Sequence, residues 1–104
     1  MRNLRKARVM FKEKFAGIIE ETGSGYRFTY DLAYLSQAEA IGVAFPPREQ
    51  PYDSKSLFPF FKGLLPEGWF RDIVCRTLKI DPQDDFGLLV KACGDCIGAV
   101  WIKE

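Results

Sequence analysis

The sequence predicts an α+β domain: a small, mainly antiparallel sheet with three helices packed on one face. Three observations carry this. Over residues 5–12 and 26–30, apolar and polar side chains alternate, the period of a half-buried strand. From Ser54 the period lengthens, and apolar residues recur at the spacing of a helix face. At Ile97 the chain returns to a short apolar run. Strands, then helices, then one strand is the order of an α+β module. The 104 residues, 47% hydrophobic and 28% charged, are expected to form a single domain over 1–104.

Each element has a local reason. In residues 5–12, Ala7, Val9 and Phe11 share one face. Residues 1–14 hold six basic side chains and one acid, a net of +5, against −4 for the rest of the chain. That reads as a lysine-rich edge strand; the same charge could instead contact nucleic acid phosphates. Phe15 to Ile19 forms a second strand, and Gly23-Ser24-Gly25 is a hairpin turn. Tyr26, Phe28 and Tyr30 alternate with Arg27 and Thr29 as a third strand. Asp31 to Ala40 reads equally as a short helix or a loop, with Leu32 and Leu35 covering the core. Ile41 to Phe45 is expected to be a buried strand. The prolines of Pro46–Pro51 make a loop open to a partner.

Leu57, Phe58, Phe60, Phe61, Leu64 and Leu65 predict a buried helix ended by Gly63. Pro66 suits the first position of the next helix, with Glu67 in its first turn and Phe70, Ile73, Val74, Thr77 and Leu78 as its core stripe. Asp81 and Pro82 read as cap and first residue of a third helix. Phe86, Leu89, Val90 and Cys93 give it a buried face, and Gly94 a stop. Ile97 to Ile102 closes the domain as a strand, with Trp101 turned toward the core or the helices.

Most chemistry is excluded by what is missing. There is no histidine, so the commonest general base and metal ligand are absent. Three cysteines without a secretory signal argue against a disulfide framework and for the cytoplasm. No apolar run approaches the ~18 residues of a membrane helix. Asp85-Phe86-Gly87 spells the magnesium triplet of protein kinases, but the other kinase motifs are missing. Cys93-Gly94-Asp95-Cys96 is a lone C-x-x-C, short of four zinc ligands and placed at a helix C-terminus. Gly23-Ser24-Gly25 lacks the following helix that a phosphate cradle needs. No catalytic, cofactor-binding or metal-binding residue is expected, so the chain reads as no enzyme.

Trp69 stands apart. It lies roughly 110° from the centre of the stripe formed by Phe70, Ile73, Val74, Thr77 and Leu78. Arg71, Asp72 and Arg76 border it, after the rigid corner Leu65-Pro66-Glu67-Gly68. Tryptophan beside arginine is typical of interface hot spots. The plainer reading is a lid folded over its own core.

The stretch from Leu57 to Lys103 carries several linked motifs: Phe60-Phe61-Lys62-Gly63-Leu64-Leu65-Pro66-Glu67-Gly68, Arg71-Asp72, Asp85-Phe86-Gly87-Leu88-Leu89, and Gly94-Asp95-Cys96-Ile97-Gly98-Ala99-Val100. Together these resemble the N-terminal subdomain of HipA-type serine/threonine kinases, the toxins of bacterial toxin–antitoxin modules. In those kinases several hundred catalytic residues follow, whereas here the sequence stops at Glu104. That departure resembles the small HipS antitoxins of three-part HipBST systems. The resemblance implies a protein that binds a HipT-like serine/threonine kinase toxin, beside a HipB-like helix-turn-helix protein, with no direct nucleic acid contact and no membrane. The binding residues expected are Leu65, Pro66, Glu67, Gly68, Trp69, Phe70, Arg71 and Asp72. Alternatives are a non-inhibitory docking module that links the kinase to HipB, and a nucleic-acid-binding module using the basic N-terminus.

Overall fold

The computed structural model describes residues 4–36, 39–92 and 99–103. Its centre is an antiparallel sheet of five strands: β1 (Lys6–Phe11), β2 (Lys14–Glu21), β3 (Tyr26–Tyr30), β4 (Tyr52–Ser54) and β5 (Val100–Lys103). They lie side by side in the order β4-β3-β2-β1-β5. Four short helices complete the described residues: α1 (Leu32–Leu35), α2 (Pro59–Lys62), α3 (Gly68–Leu78) and α4 (Asp85–Ala92). The predicted α+β class holds, with α1 as a fourth helix in the segment that read as helix or loop.

Alternation sets the inner face of the sheet. Ala7, Val9 and Phe11 of β1, Ile19 of β2, Phe28 and Tyr30 of β3 and Val100 and Ile102 of β5 are buried together. A register shift between Val9 and Met10 lets β1 pair Val9 with Gly17 and Met10 with Phe15. Gly17 is required there, because a Cβ would meet the Thr29 carbonyl oxygen at 2.2 Å. The β2–β3 hairpin turns through Gly23-Ser24-Gly25, as predicted, with Thr22 N–H donating to Gly25 O at 2.8 Å.

Several expectations are corrected. β1 is not an edge strand; it lies between β2 and β5, and the edges are β4 and β5. Its basic residues therefore lie on an interior strand paired on both sides. Ile41 to Phe45 is a bend rather than a strand, buried at Ile41 and Phe45 but with Val43 fully exposed. Its backbone is served by a side chain: Tyr30 Oη accepts from Ile41 N–H at 3.1 Å and donates to the Phe45 carbonyl. Phe45 is then enclosed by Phe28, Tyr52, Phe58, Phe60 and Phe61, with ring centroids 5.1 to 5.6 Å away. The edge position goes instead to β4, inside a stretch too short and polar to show a strand period.

The helix starts also move. α3 begins at Gly68 with Glu67 as its cap residue, not at Pro66. α4 begins at Asp85, and the cap is Asp84 rather than Asp81: Asp84 Oδ1 accepts from Gly87 N–H at 3.1 Å. Asp81 caps the preceding turn, accepting from Gln83 N–H at 2.9 Å. Phe86, Leu88 and Leu89 fill the core from α4. Trp101 faces away from the core, between buried Val100 and Ile102, and its Nε1 donates to Lys12 O at 2.5 Å. Cys93, the Gly94 stop and the remainder of the C-x-x-C lie outside the described residues.

One ionic cluster ties the first strand to the last helix. Arg5 donates to buried Glu21 through Nε at 2.8 Å and Nη2 at 3.1 Å, and to Asp84 at 2.8 and 2.9 Å. Its guanidinium also lies 5.3 Å from the centre of the Phe86 ring. The hydrogen bonds to Asp84, then those to Glu21, raise the Arg5 pKa above its ordinary value. Arg5 is thus a structural clamp, a role that neither its exposed position nor the basic run around it announced.

Candidate partner-docking surface

α3 approaches the surface through a sharp corner. Leu64 and Leu65 N–H donate to Phe61 O and Lys62 O, both at 3.1 Å, which winds the chain tightly after α2. Gly68 follows in the left-handed region with φ +61°, and nothing lies within 4 Å of where its Cβ would stand. The backbone conformation, not packing, is what favours glycine there. The helix ends at Lys79, also left-handed, whose N–H donates to Cys75 O.

The orientation of α3 is the main finding. The stripe Phe70, Ile73, Val74, Thr77, Leu78 was expected to face the core. Instead Phe70, Ile73 and Leu78 are exposed, Trp69 is 75% exposed, and Cys75 is the buried residue. The helix is turned by roughly 90° from the predicted setting, on the geometry of about 100° per residue. Arg71 explains the turn. Its guanidinium donates to Pro82 O at 2.6 and 3.2 Å and to Asp85 Oδ1 at 2.6 Å. Those bonds bring the side of Arg71 and Cys75 toward α4 and leave the apolar side uncovered.

The outer face therefore has Trp69 and Ile73 at its centre. Phe70 meets Trp69 edge-on with ring centroids 6.4 Å apart. Asp72 and Arg76, both exposed, run along one flank. Next to them a shallow cleft of about 220 Å³ is lined by Asp72, Cys75, Arg76, Ile80 and Pro82. Contiguous exposed apolar side chains rimmed by charge are the usual mark of a protein-binding surface.

The eight residues singled out from the sequence divide accordingly. Glu67, Gly68, Trp69, Phe70 and Asp72 are exposed on one corner and its helix, with Pro66 half-buried beside them. Leu65 is buried in the core, and Arg71 is occupied with α4. Ile73 belongs to the face and was assigned to the core instead. A signal for it existed: the apolar residues of this helix spread over about 240° of its wheel, too wide for one buried side. Elsewhere, Asp85 of the kinase-like triplet is paired with Arg71 and Phe86 is fully buried, so the triplet is spent on the fold. Among the described residues no group of three or more His, Cys, Asp or Glu could hold a metal ion, and no helix is long and apolar enough to cross a membrane.

Comparisons with known proteins give the family. The model of the HipA N-terminal domain matches residues 7–103. The chain belongs to the HipA N-terminal domain family. A solved structure titled the N-terminal domain of HipA toxin superposes with a TM-score of 0.73 and 31% identity, covering 100% of this chain and 98% of that one. An uncharacterized Haemophilus influenzae protein is 34% identical over 105 residues, spanning 100% of this chain and 97% of its own length. The putative kinase Y4mE of Sinorhizobium fredii is 35% identical over 75 residues, which is 70% of this chain but only 18% of that kinase. The HipA N-terminal domain is by itself not the catalytic domain of a kinase.

Proposed function

We propose that this chain is a small antitoxin. It binds a HipT-type serine/threonine kinase toxin through the corner and outer face of α3, in a complex that also holds a HipB-like helix-turn-helix protein. The single observation that carries the reading is the outward-turned apolar side of α3, centred on Trp69. A domain that leaves its best tryptophan in water offers it to something else. The relative in which a matching segment makes up 18% of a putative kinase supports a kinase as the partner.

The mechanism is occlusion. A kinase cleft must admit ATP and a protein substrate, and needs its phosphate loop ordered. Trp69, raised on the Pro66-Glu67-Gly68 corner, enters the cleft or the groove beside it as a wedge. Phe70 braces the indole edge-on, and Glu67 and Asp72 stand at the rim. Leu65 and Arg71 act from behind, one anchoring the corner in the core and the other fixing the rotation of the helix. An inserted tryptophan brings a large contact area at low conformational cost. The chain itself catalyses nothing and acts in the cytoplasm.

The test uses a purified HipT-type kinase. Its phosphorylation activity is measured alone, with this protein, and with Trp69→Ala. Inhibition by the natural protein and at least ~30-fold weaker inhibition by the variant are expected, the size of a tryptophan hot spot. A purified complex that phosphorylates at the rate of the free kinase would instead make this chain a passive docking module that completes the kinase and links it to HipB. Equal inhibition by Trp69→Ala would move the contact elsewhere, with the Pro46–Pro51 loop next in line.

A further inference from the structure

The outer face of α3 carries a pattern that the docking role does not require. Asp72 and Arg76 lie four residues apart on the same flank, and both are exposed. Neither side chain takes part in an ion pair or hydrogen bond among the described residues. Trp69 and Ile73 form the apolar ridge beside them, with Phe70 and Thr77 on the opposite flank. When two copies of such a helix are laid antiparallel around a two-fold axis, each flank meets its own counterpart in reverse direction. Asp72 of one copy then falls opposite Arg76 of the other, twice. Ile73 lies near the axis, and each Trp69 extends over the last turn of the partner helix. The face is complementary to itself in both charge and apolarity.

We propose that, in the absence of its kinase, this chain covers the face with a second copy of itself, through antiparallel pairing of the two α3 helices. The inference rests on the reading of that face as the docking surface and adds its regulation. The same Trp69 cannot be in the homodimer and in the kinase complex. Self-association therefore masks the wedge, and the kinase must displace one copy to bind the other. One eleven-residue helix buries well under the ~800 Å² per partner of a standard stable interface. The dimer is accordingly weak and reversible. That weakness suits a cover that a tighter partner removes.

The experiment is sedimentation of the full chain from micromolar to millimolar concentration. The average mass is expected to rise from 11.9 kDa toward twice that value. Asp72→Arg and Arg76→Asp each place like charges across the axis and should weaken association at least ~10-fold. The double exchange Asp72→Arg with Arg76→Asp restores both pairs and should return the constant to within about threefold of the natural chain. Circular dichroism checks folding, which these exposed positions should leave unchanged. A constant monomer mass up to millimolar concentration overturns the proposal, as does a double variant no better than the single ones. Trp69-dependent kinase binding by a strictly monomeric chain would refute the dimer and keep the docking reading. A charge-rescued dimer whose chain binds the kinase regardless of Trp69 would refute the docking reading instead.

Discussion

Two tyrosines stacked on each other should respond in opposite ways to the loss of one oxygen atom. Tyr30 and Tyr34 are both 2% exposed, and their rings lie parallel with centroids 5.9 Å apart. The Tyr30 hydroxyl holds the Ile41–Phe45 bend, accepting from Ile41 N–H and donating to the Phe45 carbonyl. The Tyr34 hydroxyl is buried and has no hydrogen-bond partner among the described residues. Tyr30→Phe removes two hydrogen bonds and strands a buried N–H and a buried C=O. At about 1 kcal/mol per net bond, plus the desolvation of the groups left behind, the loss is about 2–4 kcal/mol. Tyr34→Phe removes a polar atom whose burial is uncompensated, so the change is about 0–1 kcal/mol in the stabilising direction. Urea unfolding followed by circular dichroism reads both. With a slope of about 1–2 kcal/mol per molar, the Tyr30 variant should lose at least ~1 M in midpoint and the Tyr34 variant none. The reasoning is refuted if Tyr34→Phe costs as much as Tyr30→Phe, because the ring environment is shared and only the hydroxyl partners differ.

Three further outcomes follow from the same structure. Burial raises the pKa of both tyrosines above the ordinary value of 10. Since the folded state then favours the neutral phenol, stability is full below pH 10 and falls as the pH climbs beyond it; parallel alkaline titrations by ultraviolet absorbance and circular dichroism should show unfolding there, and a Tyr30 absorbance that titrates near 10 without unfolding would contradict the burial. Arg5→Leu leaves the Glu21 carboxylate, whose side chain is 2% exposed, without its clamp; a loss of about 2–3 kcal/mol is expected, below the full cost of breaking a buried pair because Arg5 is itself partly in water. Lys79 ends α3 with φ +57°, so Lys79→Gly should raise stability by up to about 1 kcal/mol in the same urea assay, and a destabilised variant would show that the lysine side chain matters more than its backbone.

How far the sequence could be read depended on the range of the forces involved. β2, β3 and their turn were legible because side-chain alternation and Gly23-Ser24-Gly25 are local signals. Phe86 and Leu89 of α4 were legible through helical spacing, whereas Leu88, equally buried, fell outside the predicted stripe. The bend at 41–45 was not: an apolar run alone cannot tell a ladder from a segment whose backbone groups are satisfied by Tyr30. Neither was the pairing of β1 with β5, which brings residues from opposite ends of the chain together. At the candidate site the exposure of Trp69 was legible from its place on the helical wheel, while that of Ile73 was not, because its apolar spacing reads as inward.

The order of residues by itself determined the α+β class, the two hairpin strands, the helical second half, the absence of a histidine-based site and the membership signalled by linked motifs. Those follow from backbone preference and spacing, which act within a few residues. Only the tertiary structure decided which way α3 faces. Its rotation is set by Arg71 reaching Pro82 and Asp85 on another helix, a balance of contacts across the chain that no helical wheel contains. The exposed Trp69–Phe70–Ile73 surface, and with it the case for a partner, is a product of that balance.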